Sequence, residues 1–167
     1  MREAATMSAD PASDAKISAM AAEYQKQCEQ ERLAWTKANR TAIKTLRTKL
    51  LSIGGDRISP QPHPDIRLLA MHGRLMGFPP KLKEIEPCHC HENVELLWST
   101  RTPRSRLIGI ATGYVLGDDQ DGCDGVWRPH SWALSKTKGV ISIIETTMLR
   151  TKYFGIAYAP TAEGRNR

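Results

Sequence analysis

Apolar residues recur every three or four positions over residues 13–53 and mark one face of a predicted helix. The members of this stripe are Ile17, Met20, Tyr24, Cys28, Trp35, Ala38, Ala42, Leu46 and Leu50. No proline or glycine interrupts the pattern before Gly54 and Gly55, where we expect the helix to end. So long a stripe needs a covering surface. We expect it to pack on the rest of the chain or, alternatively, to form a homodimer through this N-terminal helix.

Two further helices are predicted downstream. Pro64 suits the first turn of a helix because its φ angle is fixed, and the apolar pattern continues to about Met76. Val94, Leu97 and Trp98 have helical spacing, which predicts a third helix that begins close to Cys90 and ends near Thr100.

The second half of the chain has a pattern typical of β-strands, with β-branched residues between turn-forming segments. We predict strands over 107–116, 126–134, 140–146 and 153–158. The fold class is therefore α+β, with N-terminal helices and a Cys-bearing helix packed on a small antiparallel sheet of about four strands. The expected divisions are a disordered N-terminus (1–12), a long amphipathic helical segment (13–53), an α+β domain (54–159) and a flexible tail (160–167).

Composition places the chain among globular proteins and limits its partners. Of 167 residues, 40% are hydrophobic and 25% are charged, which is enough apolar material for a core. The net charge of +6 suits acidic partners, but the basic residues are dispersed and aromatic residues are only 6%. Nucleic acid is therefore possible but not favoured, because bases stack on clustered aromatic side chains.

The N-terminus lacks the apolar run of a signal peptide, and no stretch has the roughly 18 apolar residues that a membrane span needs. We expect a cytoplasmic protein that makes no membrane contact and whose four cysteines are thiols. No nucleotide-binding motif such as GxxxxGK[ST] is present, and we expect no cofactor.

Cys90 is the candidate nucleophile. A thiolate attacks far better than a thiol, and the N-terminus of a helix stabilises the negative charge of the thiolate. The backbone N–H groups of the same first turn can hold the oxyanion that forms when a carbonyl is attacked. Cys88, two residues earlier, is the competing candidate.

His130 is the candidate base, and Glu145 is the acid that would orient it. Both lie on predicted neighbouring strands. With Thr137 and Lys138 as a two-residue hairpin loop, residue n of one strand faces residue 275 minus n of the other, which sets His130 opposite Glu145. A three-residue turn at Gly139 would instead place Thr146 opposite His130.

Four other residues are candidates for holding substrate or its oxyanion. They are Asn93 and His91 on the predicted Cys-bearing helix, Trp132 beside the histidine, and Tyr114 in the first predicted strand. Asn93, Trp132 and Tyr114 also have an ordinary structural interpretation, as a cap or a packed side chain.

The order of these elements resembles the papain-like cysteine enzymes, which include the transglutaminase-like and NlpC-type families. The resemblance covers residues 85–158 and depends on "CHENVELLW", "WRPHSWAL" and "GVISIIETT", which carry Cys90, His130 and Glu145. It implies a papain-like fold and a catalytic triad acting as a protease, amidase, deamidase or acyl transferase on a protein or peptide substrate. The chain departs from the family pattern in using Glu as the acid and in lacking a Gln shortly before the cysteine.

Two alternatives remain open from the sequence. Cys88, Cys90, His91 and Cys123 form a weak candidate set of zinc ligands, although the Cys88–Cys90 spacing is tighter than that of standard structural sites. In the second alternative, the chain is a non-enzymatic basic module that regulates or inhibits by binding nucleic acid or protein, and its cysteines are structural or zinc-bound.

Overall fold

The structure, a computed structural model of the chain, describes residues 11–59, 61–102, 104–117 and 124–159. Residues 1–10, the tail 160–167 and Cys123, about which the sequence made predictions, lie outside the described residues. Four helices are described: α1 (Pro11–Ala38), α2 (Arg40–Ile53), α3 (Ile66–His72) and α4 (Cys90–Ser99). Among the described residues, no helix combines the length and the apolar character needed to cross a membrane.

The segment predicted as one helix consists of two helices. The chain divides into two compact units, residues 1–38 and 39–167, and α1 belongs to the first. Apolar side chains of α1 such as Ile17, Met20 and Tyr24 are exposed. The same periodic stripe is covered in α2, where Leu46 and Leu50 are buried. The pattern therefore predicted helix correctly, but core packing is seen only in its second part.

The second unit contains one mixed sheet. Its strands are β1 (Arg57–Ile58), β2 (Arg74–Leu75), β3 (Pro80–Leu82), β4 (Leu107–Leu116), β5 (Val126–Thr137), β6 (Val140–Glu145) and β7 (Lys152–Tyr158). The order across the sheet is β2-β7-β4-β5-β6-β3, and β1 pairs with β5. The four strands predicted from the sequence are confirmed, with β5 three residues longer than predicted.

The sheet is larger than expected and is not purely antiparallel. β1 and β3 pair in parallel with β5 and β6, and β2 pairs antiparallel with β7. These three strands have only two or three residues each and lie among prolines and glycines, so no alternation marks them in the sequence. Arg74 and Leu75 were predicted as the end of the second helix, which instead stops at His72.

The predicted register of the β5–β6 hairpin is wrong by two residues. Leu134 faces Ile143 and Thr137 faces Val140, so residue n faces 277 minus n. The loop consists of Lys138 and Gly139, with φ angles of 50° and 84°. Two positive φ angles make the turn that best follows the twist of paired strands, and glycine supplies one of them without strain. Because side chains alternate with a period of two, a shift of two residues leaves every side chain on its predicted face.

One edge of β5 carries both β1 and β6, and a gap separates them. β1 pairs at Val126 and Trp127, whereas β6 pairs from Ala133 to Thr137. The opposite edge is fully occupied by β4 from Trp127 to Ser135. In the described part of the chain, no strand pairs with residues 128–132 along the first edge. This gap is where the candidate site forms.

A buried cluster fills one face of the sheet around Trp132, which has no exposed surface. Its other members are Ala111, Val115, Leu134, Ile143 and Tyr153. On the opposite face, α4 packs against β5 through Val94 and Leu97. The helix that carries the candidate nucleophile is thus seated directly on the strand that carries the candidate base.

Candidate active site

His130 and Glu145 form a buried pair. Nε2 of His130 lies 2.9 Å from both carboxylate oxygens of Glu145, and the two residues are 4% and 0% exposed. The sequence predicted that His130 and Glu145 lie directly opposite each other in the ladder, and the structure does not place them so. The two-residue shift makes them diagonal neighbours on one face, a distance that long side chains can span.

Glu145 is held as an anion by several donors. Oε1 accepts the backbone N–H groups of Thr146 and Thr147, at 2.8 and 3.1 Å, and the hydroxyl of Thr147 at 3.1 Å. Oε2 accepts the hydroxyl of Tyr153 at 3.1 Å. Burial alone would raise the pKa of the carboxyl, but the bond to His130, its charge and the backbone donors outweigh burial and lower it.

Cys90 is the first residue of α4, as predicted, and its sulfur meets the imidazole of His130. Burial raises the pKa of the thiol, but its hydrogen bond with His130, the charge of His130 and the Ser131 backbone N–H together lower it. Ser131 lies in the gap on the edge of β5, so its N–H is available to the sulfur rather than to a neighbouring strand. The nucleophile candidate therefore occupies the place where β6 would have continued.

His130 lies between the thiol of Cys90 and the carboxylate of Glu145. Burial lowers the pKa of an imidazole, but here hydrogen bonds to Cys90 and Glu145 and the charges of both raise the pKa of His130 to about 9. Since Nε2 faces Glu145, Nδ1 is the ring nitrogen left for the sulfur. Opposite pKa shifts in Cys90 and His130 favour a thiolate–imidazolium pair near neutral pH.

An open cavity of about 710 Å³ gives access to this pair. Cys88, Cys90 and His130 form part of its wall. Gln61, which follows β1, also lines it. The family that the sequence resembles has a glutamine shortly before the cysteine, whereas Gln61 is 29 positions earlier and reaches the cavity wall through the pairing of β1 with β5.

The loop before α4 is held by Asn93. Its Nδ2 donates to the carbonyl oxygen of Glu86 at 2.7 Å, and the residue is 3% exposed. Asn93 therefore anchors the loop that leads to Cys90, and does not line the cavity with it. Cys88 in this loop has a φ of 64°, an uncommon value for a residue other than glycine, and is exposed.

His91 belongs to a second hydrogen-bond network on the opposite side of β5. Its Nδ1 lies 2.7 Å from Oγ of Ser131, which donates to Oγ1 of Thr112 at 3.3 Å. Nε2 of His63 lies 3.1 Å from the same threonine oxygen, and Nδ1 of His63 accepts the N–H of Asp65 at 3.1 Å. The network packs behind Ser131, so His91 supports the strand next to the sulfur and does not line the cavity.

Trp132 and Tyr114 are core residues in this structure. Trp132 is 0% exposed and packs edge-on against Tyr153 at 5.3 Å between ring centroids. Tyr114 is 2% exposed and lies 5.5 Å from the ring of His63. Neither lines the cavity at Cys90, which corrects their candidacy for contact with substrate.

Within the described ranges, no group of three or more His, Cys, Asp or Glu side chains is arranged to hold a metal ion. Of the weak zinc set, Cys90 contacts His130 and His91 contacts Ser131, whereas Cys123 lies outside these ranges. Sequence reasoning missed the supporting roles of Tyr153, Ser131 and Thr147. Only the hydroxyl run after Glu145, Thr146-Thr147, is a local signal that the carboxylate has donors nearby.

No protein-family model, curated protein or solved structure matches this chain. The geometry of the site and the sequence order of its members are therefore the basis for assigning a function.

Proposed function

We propose that the chain is a papain-like cysteine enzyme that attacks an amide or related acyl bond of a protein or peptide. One observation carries the proposal: a single buried imidazole joins a carboxylate on one side to a helix-terminal thiol on the other, at the wall of an open cavity. A structural cysteine needs no such base.

The proposed reaction has two stages. His130 takes the proton of Cys90, and the thiolate attacks the carbonyl carbon to give an oxyanion that the first-turn N–H groups of α4 and the Gln61 amide hold. The intermediate collapses to a thioester as the leaving amine takes the proton from His130. Water or an amine, deprotonated by His130, then releases the acyl group and regenerates the thiol.

Glu145 acts through His130. As a buried anion beside Nε2, it stabilises the imidazolium and directs Nδ1 toward the sulfur. Tyr153 and the two threonines keep the carboxylate ionised and fixed in orientation. We therefore expect Glu145→Gln to reduce the thiolate fraction of Cys90 at pH 6.

The proposal is tested by the rate of alkylation with iodoacetamide, followed residue by residue by mass spectrometry. An ordinary thiol with a pKa of about 8.5 is almost unreactive at pH 6. We expect Cys90 to react at pH 6 at a rate on the order of tenfold or more above that of Cys28 and Cys88, which are exposed thiols of the same chain.

The matched variants separate reactivity from access. His130→Ala should remove the advantage of Cys90 at pH 6, Glu145→Gln should reduce it several-fold, and Cys88→Ala should leave it unchanged. A Cys90 that reacts no faster than Cys28, or whose rate is the same in His130→Ala, would contradict the proposal. A burst of nitrophenol from p-nitrophenyl acetate, absent in Cys90→Ala, would add evidence for the acyl-transfer stage.

A further inference from the structure

The cavity beside Cys90 is lined by one sign of charge. Arg57, Arg128 and Arg150 contribute to its wall, and no aspartate or glutamate is among the described residues that line it. Cys90 and His130 cancel as an ion pair, and Glu145 is buried behind the imidazole. Among the described residues of the wall, the exposed side chains of Arg57 and Arg128 are therefore the charges that an incoming molecule meets, and a cleft of one sign concentrates ligands of the other.

The sheet register explains why these side chains share the cavity with His130. Arg128 precedes His130 by two residues on β5, so both project from the same face about 7 Å apart along the strand. Arg57 pairs with Val126 across the β1–β5 ladder, and partners in a ladder point to one face. Arg57, Val126, Arg128 and His130 thus follow one another along one side of the gap.

Arg57 and Arg128 are exposed, and neither forms an ion pair within the described ranges. An exposed arginine presents a planar fork of donors that matches a carboxylate or a phosphate. No phenylalanine, tyrosine or tryptophan is among the described residues of the wall. Single-stranded nucleic acid binds by stacking bases on such rings, so this lining favours a carboxylate-bearing peptide over a nucleic acid.

We infer that the substrate is an acidic peptide segment, with one or more carboxylates close to the carbonyl that Cys90 attacks. This inference rests on the proposed function and specifies its substrate class. The carboxylates bind Arg57 and Arg128, and the peptide lies along β5 with its reacting carbonyl at the first turn of α4. The same arginines disfavour a basic peptide at this position through like-charge repulsion.

The first experiment compares two alkylating agents of nearly equal size. Iodoacetate is an anion and iodoacetamide is neutral, and both react with the thiolate. The rate with iodoacetate divided by the rate with iodoacetamide at Cys90 therefore reports the electrostatic potential at the sulfur, because the thiolate fraction cancels. The measured rate ratio includes any effect of Asp118, Asp119 and Asp121, whose segment lies outside the described residues. We expect Arg57→Gln and Arg128→Gln each to lower the ratio by on the order of two- to fivefold at low salt.

Arg74→Gln is the matched control. Arg74 is an exposed arginine of the same sheet, on β2, and does not line this cavity. Its replacement should leave the ratio unchanged. An iodoacetate ratio that is insensitive to Arg57 and Arg128 would overturn the inference. A Cys90 that shows no selective reaction even with iodoacetamide would instead overturn the proposed function, so the two failures are distinguishable.

The second experiment uses two peptide thioesters that differ only in Glu or Gln next to the acyl group. We expect the Glu peptide to acylate Cys90 several-fold faster, and the preference to disappear in the Arg57→Gln/Arg128→Gln double variant. Equal rates for the two peptides in the unmodified chain would overturn the inference. Protection of Cys90 from iodoacetamide by a single-stranded oligonucleotide, but not by an acidic peptide, would assign the cavity to nucleic acid and would also overturn it.

Discussion

At the scale of single residues, the unusual feature is a carboxylate with no exposed surface and a full set of partners. Glu145 would be costly to bury alone, because an isolated ion loses its hydration. Two backbone N–H groups, two hydroxyls and an imidazole replace the lost water. A glutamate that follows Ile143 and Ile144 in a buried strand needs such partners, and His130 is the one that the sequence predicted.

The members of the candidate triad were predictable, and the residues that hold them in place were not. Cys90, His130 and Glu145 follow from residue type and position within predicted elements. Tyr153 reaches Glu145 from β7 and Ser131 reaches Cys90 through a backbone N–H, so both roles depend on which strands are neighbours. Register and sheet order are tertiary properties that local patterns do not encode.

His63 makes stability depend on pH. It is 1% exposed, and burial lowers its pKa to about 4, with the charge of Asp65 opposing and that of His91 assisting. The unfolded chain binds a proton near pH 6.5 that the folded chain accepts only near pH 4. The contribution of His63 to stability is therefore complete above pH 6.5 and is lost as pH falls toward 4.

We expect the titration of His63 to lower the free energy of unfolding by about 2 kcal/mol as the pH falls from 8 to 5. His63→Asn keeps an acceptor for the N–H of Asp65 and has no titrating ring. Urea denaturation of both proteins at the two pH values should show a smaller pH dependence in the variant, since all other groups cancel in the comparison. Equal pH dependence would show that His63 is not held neutral.

At the scale of elements, long patterns were predictable and short ones were not. Helix α4 and strand β4 have the predicted bounds to within a residue, because each contains ten residues of consistent spacing. Strands of two or three residues, such as β1 and β3, exist only because β5 and β6 offer an edge to pair with. The hairpin loop was predicted at Thr137-Lys138 and lies one residue later, at Lys138-Gly139, because either pair of residues is compatible with a two-residue turn.

Strands β4 and β7 approach closely at a pair of glycines, Gly113 and Gly155, which face each other. A Cβ on Gly155 would meet the Trp132 ring 2.7 Å away and the carbonyl of Thr112. Trp132 packs against both Tyr153 and His130, with ring centroids 5.3 and 6.3 Å apart. The small residue therefore makes room for the ring that supports the site.

We expect Gly155→Ala to destabilise the fold by about 1–3 kcal/mol through overpacking, despite the better strand propensity of alanine. The measurement is the urea midpoint, together with the near-ultraviolet circular dichroism of the tryptophans. Gly77→Ala is the control, because a Cβ there meets nothing within 4 Å. A Gly155→Ala protein as stable as the parent would show that the Trp132 ring is free to move aside.

At the scale of the whole molecule, the described core and the candidate site belong to residues 39–167. Among the residues whose burial is described, every buried hydrophobic side chain lies at Leu46 or later. We expect a chain of residues 39–167 to keep the free energy of unfolding within about 0.5 kcal/mol and to keep the selective alkylation of Cys90. Urea titration and iodoacetamide labelling of both lengths test this.

A shorter chain that unfolds at clearly lower urea would show that residues 1–38 cover part of the core. Sedimentation equilibrium of the two lengths tests the predicted homodimer separately: a dimer only in the full chain would place the contact on α1, whose apolar side chains are exposed. The sequence predicted a helix there but did not decide between packing on the rest of the chain and a homodimer, because the amphipathic spacing is the same in both cases.

If the proposed function holds, the gap along β5 between β1 and β6 also limits which targets the chain can process. It is five residues long, about 17 Å, which is the length of an extended segment of about five residues. A helix is roughly 10–12 Å across with its side chains and advances only about 1.5 Å per residue, so it does not follow the strand. We therefore expect targets to be processed at termini and linkers, and a compact protein to be spared until such a segment comes loose.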